Sequence, residues 1–256
     1  HWLISVWVLK LVSGQLKLKK KEDNQATKSQ SAVHFVAHEL NSLRDQKKAI
    51  EMAAYMKTTM PFYGVQKPDR VPIFRELKAE YRPDSSDEYL EIVSALWSQR
   101  YREEKYFAIN YAEAFTKYIE FNSLLLYEQI IREGSWWDFV DPVATNLIGL
   151  IYKKQRKELK PIIEKWSHDS DFWIRRTSLL VHLKHKQETD VDQLFEFCLR
   201  MAPEKEFFIR KAIGWSLREY AKTDPKNVLA FLKKNKDALS TLSFREASKH
   251  LGEPIG

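Results

Sequence analysis

Cysteine is nearly absent from this sequence, since Cys198 is the only one in 256 residues. A single thiol excludes an internal disulfide framework, and without a cluster of histidine and cysteine it excludes an ordinary thiolate zinc site. The seven histidines do not fall with acidic residues in a metal-binding pattern. His34 and His38 stand four apart, but no obvious third ligand lies nearby. We therefore expect no metal site and a reducing compartment.

Glycine and proline are also scarce, with seven and nine residues. Because sheets with tight turns use both types heavily, this scarcity argues against a β fold. Leucine, alanine, lysine, glutamate and arginine fill long stretches and favour helices. The sequence has neither a glycine-rich phosphate loop nor a G-x-S-x-G nucleophile motif, so cofactor chemistry is not indicated.

The apolar run at residues 1–14 is too short to span a bilayer. A basic run at residues 17–21 follows it, which reverses the order of a secretory signal peptide, so we expect no membrane anchor. Residues 22–31 are polar and typical of a disordered linker, and no methionine precedes Met52. We expect residues 1–31 to be a disordered or non-native extension and residues 32–256 to form a single domain.

Basic residues outnumber acidic ones, with 42 Lys and Arg against 35 Asp and Glu. The net charge is +7 and the isoelectric point is near 9.2. This balance is consistent with a polyanionic partner, but many basic proteins bind nothing acidic.

From Ala32 onward apolar residues recur at intervals of three and four, as at Val33, Val36, Leu40 and Leu43. Aromatic pairs recur on a longer scale. Pairs that begin at Tyr106, Trp136, Phe172 and Phe207 are 30, 36 and 35 residues apart, and each is expected to open a helix. Such a period is typical of helical-pair repeats that stack into a solenoid with a concave binding surface. A generic helical bundle is the alternative.

Two adjacent tryptophans are followed closely by two carboxylates in the stretch from Gly134 to Pro142. Only one indole of such a pair can easily face a core. On a helix, Trp137 and Asp141 share one face, which would present an aromatic ring and an anion to a cation, while Asp138 is free to cap the helix. The alternative is a core tryptophan pair beside an N-cap aspartate. Pro142 disfavours the α conformation at Asp141, which would make Asp141 that N-cap.

Lys211, Trp215 and Arg218 fall on one helix face as cation, indole and cation. Burying either charge unpaired is costly, so the stripe suits phosphate partners, and Gly214 would let something approach the backbone closely. Arg176 and Lys184 lie about two turns apart and would track the same phosphate backbone. For each of these charges taken alone, a solvated surface is the alternative.

Five motifs between residues 33 and 251 carry a family resemblance. They are Tyr55-Met56-Lys57 with Gly64-Val65-Gln66-x-Pro68-x-Arg70; Ser135-Trp136-Trp137-Asp138-x-Val140-Asp141; Trp173-Ile174-x-Arg176; residues 205–223, which contain Phe207-Phe208-Ile209-x-Lys211 and Gly214-Trp215-x-Leu217-Arg218; and Arg245-Glu246-Ala247-x-Lys249-His250. Together they resemble the bacterial DNA alkylation repair family of AlkD-type glycosylases.

The resemblance implies an all-α superhelix of HEAT-like repeats that hydrolyses the N-glycosidic bond of cationic N3- and N7-alkylpurines in base excision repair. It implies Asp141 as the catalytic carboxylate, with Trp137 and Trp215 contacting the deoxyribose of the damaged nucleotide. The DNA-binding residues that it implies are Tyr55, Arg176, Lys184, Lys211 and Arg218. The sugar would be engaged from the backbone side, without a base-flipping pocket.

The same resemblance implies double-stranded DNA with alkylated purines as the partner, no metal, cofactor or membrane, and a monomer in the cytoplasm associated with the nucleoid. Two other functions stay open. A non-catalytic helical-repeat protein would bind DNA or another anion without base release. A protein-binding scaffold would have an apolar or acidic concave face.

Overall fold

The computed structural model describes residues 26–251, and every regular element within that range is helical. This confirms the predicted all-α class. The α-helices are α1 Lys28–Ser42, α2 Gln46–Met56, α3 Lys67–Glu80, α4 Ser86–Trp97, α5 Arg102–Ala114, α6 Leu124–Gly134, α7 Trp137–Pro142, α8 Gly149–Lys154, α9 Arg156–Trp166, α10 Phe172–Leu180, α11 Val191–Arg200, α12 Phe207–Ala221, α13 Pro225–Lys234 and α14 Thr241–Ser248. A π-helical segment, Val143–Ile148, joins α7 to α8.

Helix α1 begins earlier than the sequence pattern predicted. Thr27 and Gln30 form a capping box, in which Thr27 Oγ1 accepts from the Gln30 amide at 3.2 Å and Gln30 Oε1 accepts from the Thr27 amide at 3.0 Å. The predicted linker at residues 22–31 is therefore wrong for residues 28–31, which are helical. The rest of the predicted N-terminal extension, residues 1–25, lies outside the described residues.

Side-chain caps fix several other helix starts. A serine or aspartate directly before the helix accepts a hydrogen bond from an amide of its first turn, which satisfies one of the free N–H groups there. These N-caps are Asp45, Ser85, Asp171, Asp190, Asp224 and Ser240. The short turns that they end keep successive helices close in space.

The helices pack chiefly on elements near them in the chain. Helix α1 packs on α4, α4 on α5, α6 on α7 and α10, and α10 on α12, which in turn packs on α13 and α14. One continuous apolar core runs through the stack from Ala32 to Ala247. Such stepwise packing is typical of helical repeats, in which each unit buries its apolar face on its neighbours.

The predicted aromatic repeat is only partly right. Trp137, Phe172 and Phe207 are the first residues of α7, α10 and α12. Tyr106 lies in the middle of α5, which starts at Arg102. The cause is the polar sequence before Tyr106, since Glu104 at the third helical position accepts from the Tyr101 amide at 2.8 Å and so starts the helix one turn earlier.

Candidate active site

The two adjacent tryptophans have different environments. Trp136 packs on the rings of Trp173 and Phe208, at centroid distances of 6.1 and 5.5 Å. Trp137 begins α7 and remains 38% exposed. The expected division of the pair, with one indole on the core and one turned to another use, agrees with this arrangement.

Asp141 lies within a continuous helical stretch and is not an N-cap. The carbonyl of Trp136 accepts the first amide bonds of α7, and the chain stays helical through Pro142 into the π segment. Proline has no amide hydrogen to complete an α-helical ladder, and a π register directly after it widens the helix. Thr145 Oγ1 donates to the Asp141 carbonyl at 2.8 Å. The expectation that Pro142 would move Asp141 to an N-cap position is therefore wrong.

The carboxylate of Asp141 forms a two-pronged ion pair with Arg176 of α10. Arg176 Nε donates to Oδ1 at 2.8 Å and Nη2 donates to Oδ2 at 2.9 Å. Arg176 Nη1 donates to the Phe208 carbonyl, which fixes the third nitrogen of the guanidinium. The two side chains are only 15% and 5% exposed. Such a fork holds a carboxylate in one orientation.

Burial and charge act in opposite directions on Asp141. Burial raises the pKa of this carboxyl above its ordinary value, and the hydrogen bonds and positive charge of Arg176 oppose that rise. Two parallel N–H···O bonds from a guanidinium require the ionised acid. We therefore take the carboxylate as the form present near neutral pH.

Six of the eight predicted site residues line one cleft of about 330 Å³, hereafter the Asp141 cleft. Helix α7 supplies the first two, α10 the third and α12 the last three. They are Trp137, Asp141, Arg176, Lys211, Trp215 and Arg218. Long-range packing of α10 and α12 thus brings together residues that the sequence separates by up to 81 positions.

Glu246 of α14 closes the far wall of the Asp141 cleft. It accepts from Arg218 Nη1 at 2.7 Å, and it lies 3.2 Å from Lys211 Nζ and 2.7 Å from Lys249 Nζ. Lys249 and Lys211 hold the pKa of Glu246 down at about 2, with the hydrogen bond from Lys249 as the largest cause. The stripe of cations around Trp215 is therefore partly neutralised within the protein.

Gly214 serves a helix contact. A Cβ at this position would lie 2.4 Å from Glu246 Cβ and 2.9 Å from the Ser243 carbonyl, so only glycine lets α14 approach α12 this closely. The expectation that Gly214 lets something approach the backbone closely is confirmed, and the element that approaches is α14.

Lys184 and Tyr55 do not lie in the Asp141 cleft. Lys184 lines a separate cleft of about 450 Å³ with Glu113, Asn146 and His185. Tyr55 is 78% exposed and lines a third cleft of about 340 Å³. Lys184 and Arg176 line different clefts, and Arg176 is paired with Asp141; that both residues follow one phosphate backbone stays a prediction.

The model of a known protein family matches residues 36–251, and its description is DNA alkylation repair enzyme. The chain belongs to this family. A solved structure described as a predicted DNA alkylation repair enzyme from Enterococcus faecalis is 30% identical, with a TM-score of 0.74, and the match covers 82% of this chain and 98% of that chain. The predicted family resemblance is confirmed.

AlkD2 from Streptococcus mutans is 17% identical, with a TM-score of 0.55 over 70% of this chain and 89% of its own. At that identity the likeness concerns the fold, and it confirms the predicted architecture of stacked helical repeats. The comparison with curated proteins gives no match.

Sequence reasoning missed three residues that line the Asp141 cleft of this DNA alkylation repair family member, namely Phe207, Phe208 and Glu246. Phe207 is 55% exposed and lines the Asp141 cleft beside the two indoles. Glu246 stands in a matched motif, but only its three cationic neighbours show what it does. An acidic residue inside a basic, matched motif was the available signal.

Asp138 does not cap α7, contrary to expectation. Its carboxylate accepts from Arg102 Nη2 at 2.6 Å and from the Tyr106 hydroxyl at 2.5 Å. This buried network secures α7 to α5. Between residues 26 and 251 no three His, Cys, Asp or Glu side chains form a group that could hold a metal ion. No helix in the same range is long and apolar enough to cross a membrane.

Proposed function

We propose that this family member is a DNA glycosylase that hydrolyses the N-glycosidic bond of cationic N3- and N7-alkylpurines in duplex DNA. The observation that carries the proposal is the Asp141 cleft itself. It combines an oriented, buried carboxylate with the indoles of Trp137 and Trp215. An anion framed by aromatic faces is suited to a centre that becomes positive during reaction.

The chemistry requires little from the protein besides electrostatics. A purine alkylated at N3 or N7 already carries a positive charge, so it leaves without protonation and no general acid is needed. Positive charge then develops on the deoxyribose, as it does on the sugar in glycoside hydrolysis. A carboxylate about 4 Å away would stabilise that charge by about 4 kcal/mol at an effective dielectric constant near 20, which amounts to roughly a thousandfold in rate.

The pairing with Arg176 is compatible with this role. Each carboxylate oxygen of Asp141 accepts one hydrogen bond from Arg176, and a carboxylate oxygen has room for a second. The remaining lone pairs would face the sugar or accept a hydrogen bond from the attacking water. Arg176 thus acts as a positioning residue that keeps Asp141 ionised and fixes its plane.

The aromatic residues would add binding to the cationic nucleotide. Trp137 of α7 and Trp215 of α12 both line the Asp141 cleft. An indole face contributes about 0.5–2 kcal/mol toward a cation, depending on how far water is excluded. Exposed Phe207 adds a further aromatic ring to the Asp141 cleft, and exposed Tyr55 lies outside it.

Duplex DNA would be held through its phosphates, without sequence preference. Lys184, Lys211 and Arg218 are the proposed contacts, with Arg218 and Lys211 oriented by Glu246. The protein would act as a monomer in base excision repair, in the cytoplasm and in association with the nucleoid.

A panel of lesion-containing duplexes tests the proposal. The protein should release N7-methylguanine and N3-methyladenine, because both bases leave as neutral molecules from cationic nucleotides. It should leave hypoxanthine in place, because this neutral base needs a proton to depart and the Asp141 cleft offers no free acid. Duplex binding without release of any cationic base would favour the non-catalytic alternative.

A further inference from the structure

Another cleft, not yet described, adjoins the Asp141 cleft at Trp137. It has a volume of about 560 Å³, and Arg70, Lys67, Tyr106, Asn110 and Trp137 are among the residues that line it. We call it the Arg70 cleft. Trp137 lines both clefts, so the two clefts meet at this indole.

Arg70 has no acidic partner in the part of the chain that the structure describes. Its guanidinium lies over the ring of Tyr106, 4.6 Å from the centroid, and its Nε is buried without a hydrogen-bond partner. Within residues 26–251 the structure records no hydrogen bond or ion pair from this side chain. The side chain is half-buried, and its buried Nε–H is costly to leave without an acceptor, because that group has lost water and gained no hydrogen bond.

The two carboxylates nearest to Arg70 are committed elsewhere. Glu103 accepts hydrogen bonds from the amides of Tyr63, Gly64 and Val65, at 2.9–3.1 Å. Asp138 is paired with Arg102, which is itself buried. Arg70 feels the charges of both acids at a distance, yet neither carboxylate turns toward it.

The charges that remain in the Arg70 cleft are positive. Lys67 and Arg70 line it as cations, and its one carboxylate, Asp138, is neutralised by Arg102. The Tyr106 hydroxyl donates to Asp138 and accepts from Arg102 Nε at 3.0 Å, and Arg70 lies over the Tyr106 ring without a hydrogen bond to that hydroxyl. The cleft therefore calls for a ligand that brings a negative charge and several acceptor oxygens.

We propose that the Arg70 cleft is an anion subsite in which Arg70 binds one backbone phosphate of the bound DNA. The proposal rests on the proposed function, because DNA is its ligand. A phosphodiester has the charge and the paired oxygens that a guanidinium fork recognises. Contacts in the two clefts that meet at Trp137 would fix the strand across the indole and place the intervening sugar at Asp141.

Salt dependence of duplex binding tests this assignment. Arg70→Gln should weaken binding of an undamaged duplex on the order of tenfold at low salt, and it should lower the slope of log K against log salt by about 0.9. Arg70→Lys keeps the charge and should keep most of the slope. Arg75 is exposed on the same helix and does not line the cleft, so Arg75→Gln serves as the matched control and should change neither quantity.

Neutralising single phosphates locates the contact. In a series of duplexes with one methylphosphonate each, one position should weaken binding of the parent protein about tenfold and have no effect on Arg70→Gln. An unchanged salt slope in Arg70→Gln, or equal sensitivity of both proteins at every position, would overturn the assignment. A melting temperature measured for each variant separates folding from binding. If Arg70→Gln does not fold, the same series with Arg70→Lys decides, since its altered donor geometry should weaken the response at that one position alone.

The outcome of the methylphosphonate experiment can be distinguished from the outcome of the base-release assay. Failure of the parent protein to release a cationic base, with the methylphosphonate response intact, would end the proposed glycosylase activity and keep the phosphate subsite. Base release without a methylphosphonate response that depends on Arg70 would end the phosphate subsite and keep the proposed glycosylase activity.

Discussion

Asp141 is held in place by a residue 35 positions further along the chain. Arg176 Nε and Nη2 each donate to one of its oxygens, and Nη1 is fixed on the Phe208 carbonyl. The pair links α7, α10 and α12 at a single guanidinium. Because burial raises the pKa of Asp141 while Arg176 opposes that rise, the arginine decides how much of the acid is ionised at a given pH.

Replacement of Arg176 should shift the pH dependence of base release. The active form is the carboxylate, so release is lost as pH falls through the pKa of Asp141. Arg176→Met removes the cation that lowers this pKa, and the acidic limb of the rate profile should move to higher pH. Release near neutral pH should fall on the order of tenfold or more, measured under single-turnover conditions. Arg176→Lys should lie between the parent and Arg176→Met.

Arg175→Met is the matched control for that series. Arg175 is the adjacent residue, and it forms a similar two-pronged pair, with Glu204, outside the cleft. Arg175→Met should lower the free energy of unfolding and leave the pH dependence of base release unchanged. An acidic limb at the same pH in both methionine variants would contradict the role given to Arg176.

Part of the site was predictable at the residue scale. The four-residue spacing of Trp137 and Asp141 predicts that both lie on one helix face, and the local sequence pattern was enough for that prediction. The Arg176–Asp141 pair and the hold of Glu246 on Arg218 join separate helices, and they depend on packing that no spacing along the chain reveals. For the same reason, the sequence did not reveal that the cations beside Trp215 are paired with Glu246.

Two elements, α12 and α14, form the wall of the Asp141 cleft through their contact at Gly214. The missing side chain of Gly214 lets Glu246 approach the α12 backbone, from where its carboxylate reaches Lys211 and Arg218. The packing of α14 on α12 at Gly214 therefore also orients the side chains of Lys211 and Arg218.

Gly214→Ala should destabilise the protein. In a helix interior, replacing glycine by alanine ordinarily stabilises by about 1 kcal/mol. Here the new methyl group would lie 2.4 Å from Glu246 Cβ and 2.9 Å from the Ser243 carbonyl. We expect a loss of about 1–3 kcal/mol in the free energy of unfolding, measured by denaturant titration. A gain in stability would show that α14 does not pack on α12 as described.

The stretch from α7 to α8 was misjudged from sequence for an identifiable reason. A proline after Asp141 disfavours the α conformation in the residue before it, which predicts a helix end or an N-cap there. The chain instead continues as a π-helical segment, and the Thr145 hydroxyl donates to the Asp141 carbonyl. Local rules for proline describe an isolated helix, whereas this one is buried on several sides by α5, α6 and α10.

At the scale of the whole molecule, the stack of helices sets three neighbouring clefts around Trp137 and Arg70. The Asp141 cleft and the Arg70 cleft share Trp137, and the cleft with Tyr55 shares Arg70 and Tyr106 with the latter. Composition and periodicity were enough to predict an all-helical stack. The positions of the clefts were not predictable, since they depend on which helix of each pair faces inward.

The measurement that tests the account most directly is release of N7-methylguanine by Asp141→Asn, beside binding of the same duplex. The variant keeps the size of the side chain and removes its charge, so release should fall by about a hundredfold or more while affinity stays within about threefold of the parent. Asp192→Asn, at an exposed position on α11, should change neither quantity. Release by Asp141→Asn at the parent rate would contradict the assignment of Asp141 as the group that stabilises the positive sugar.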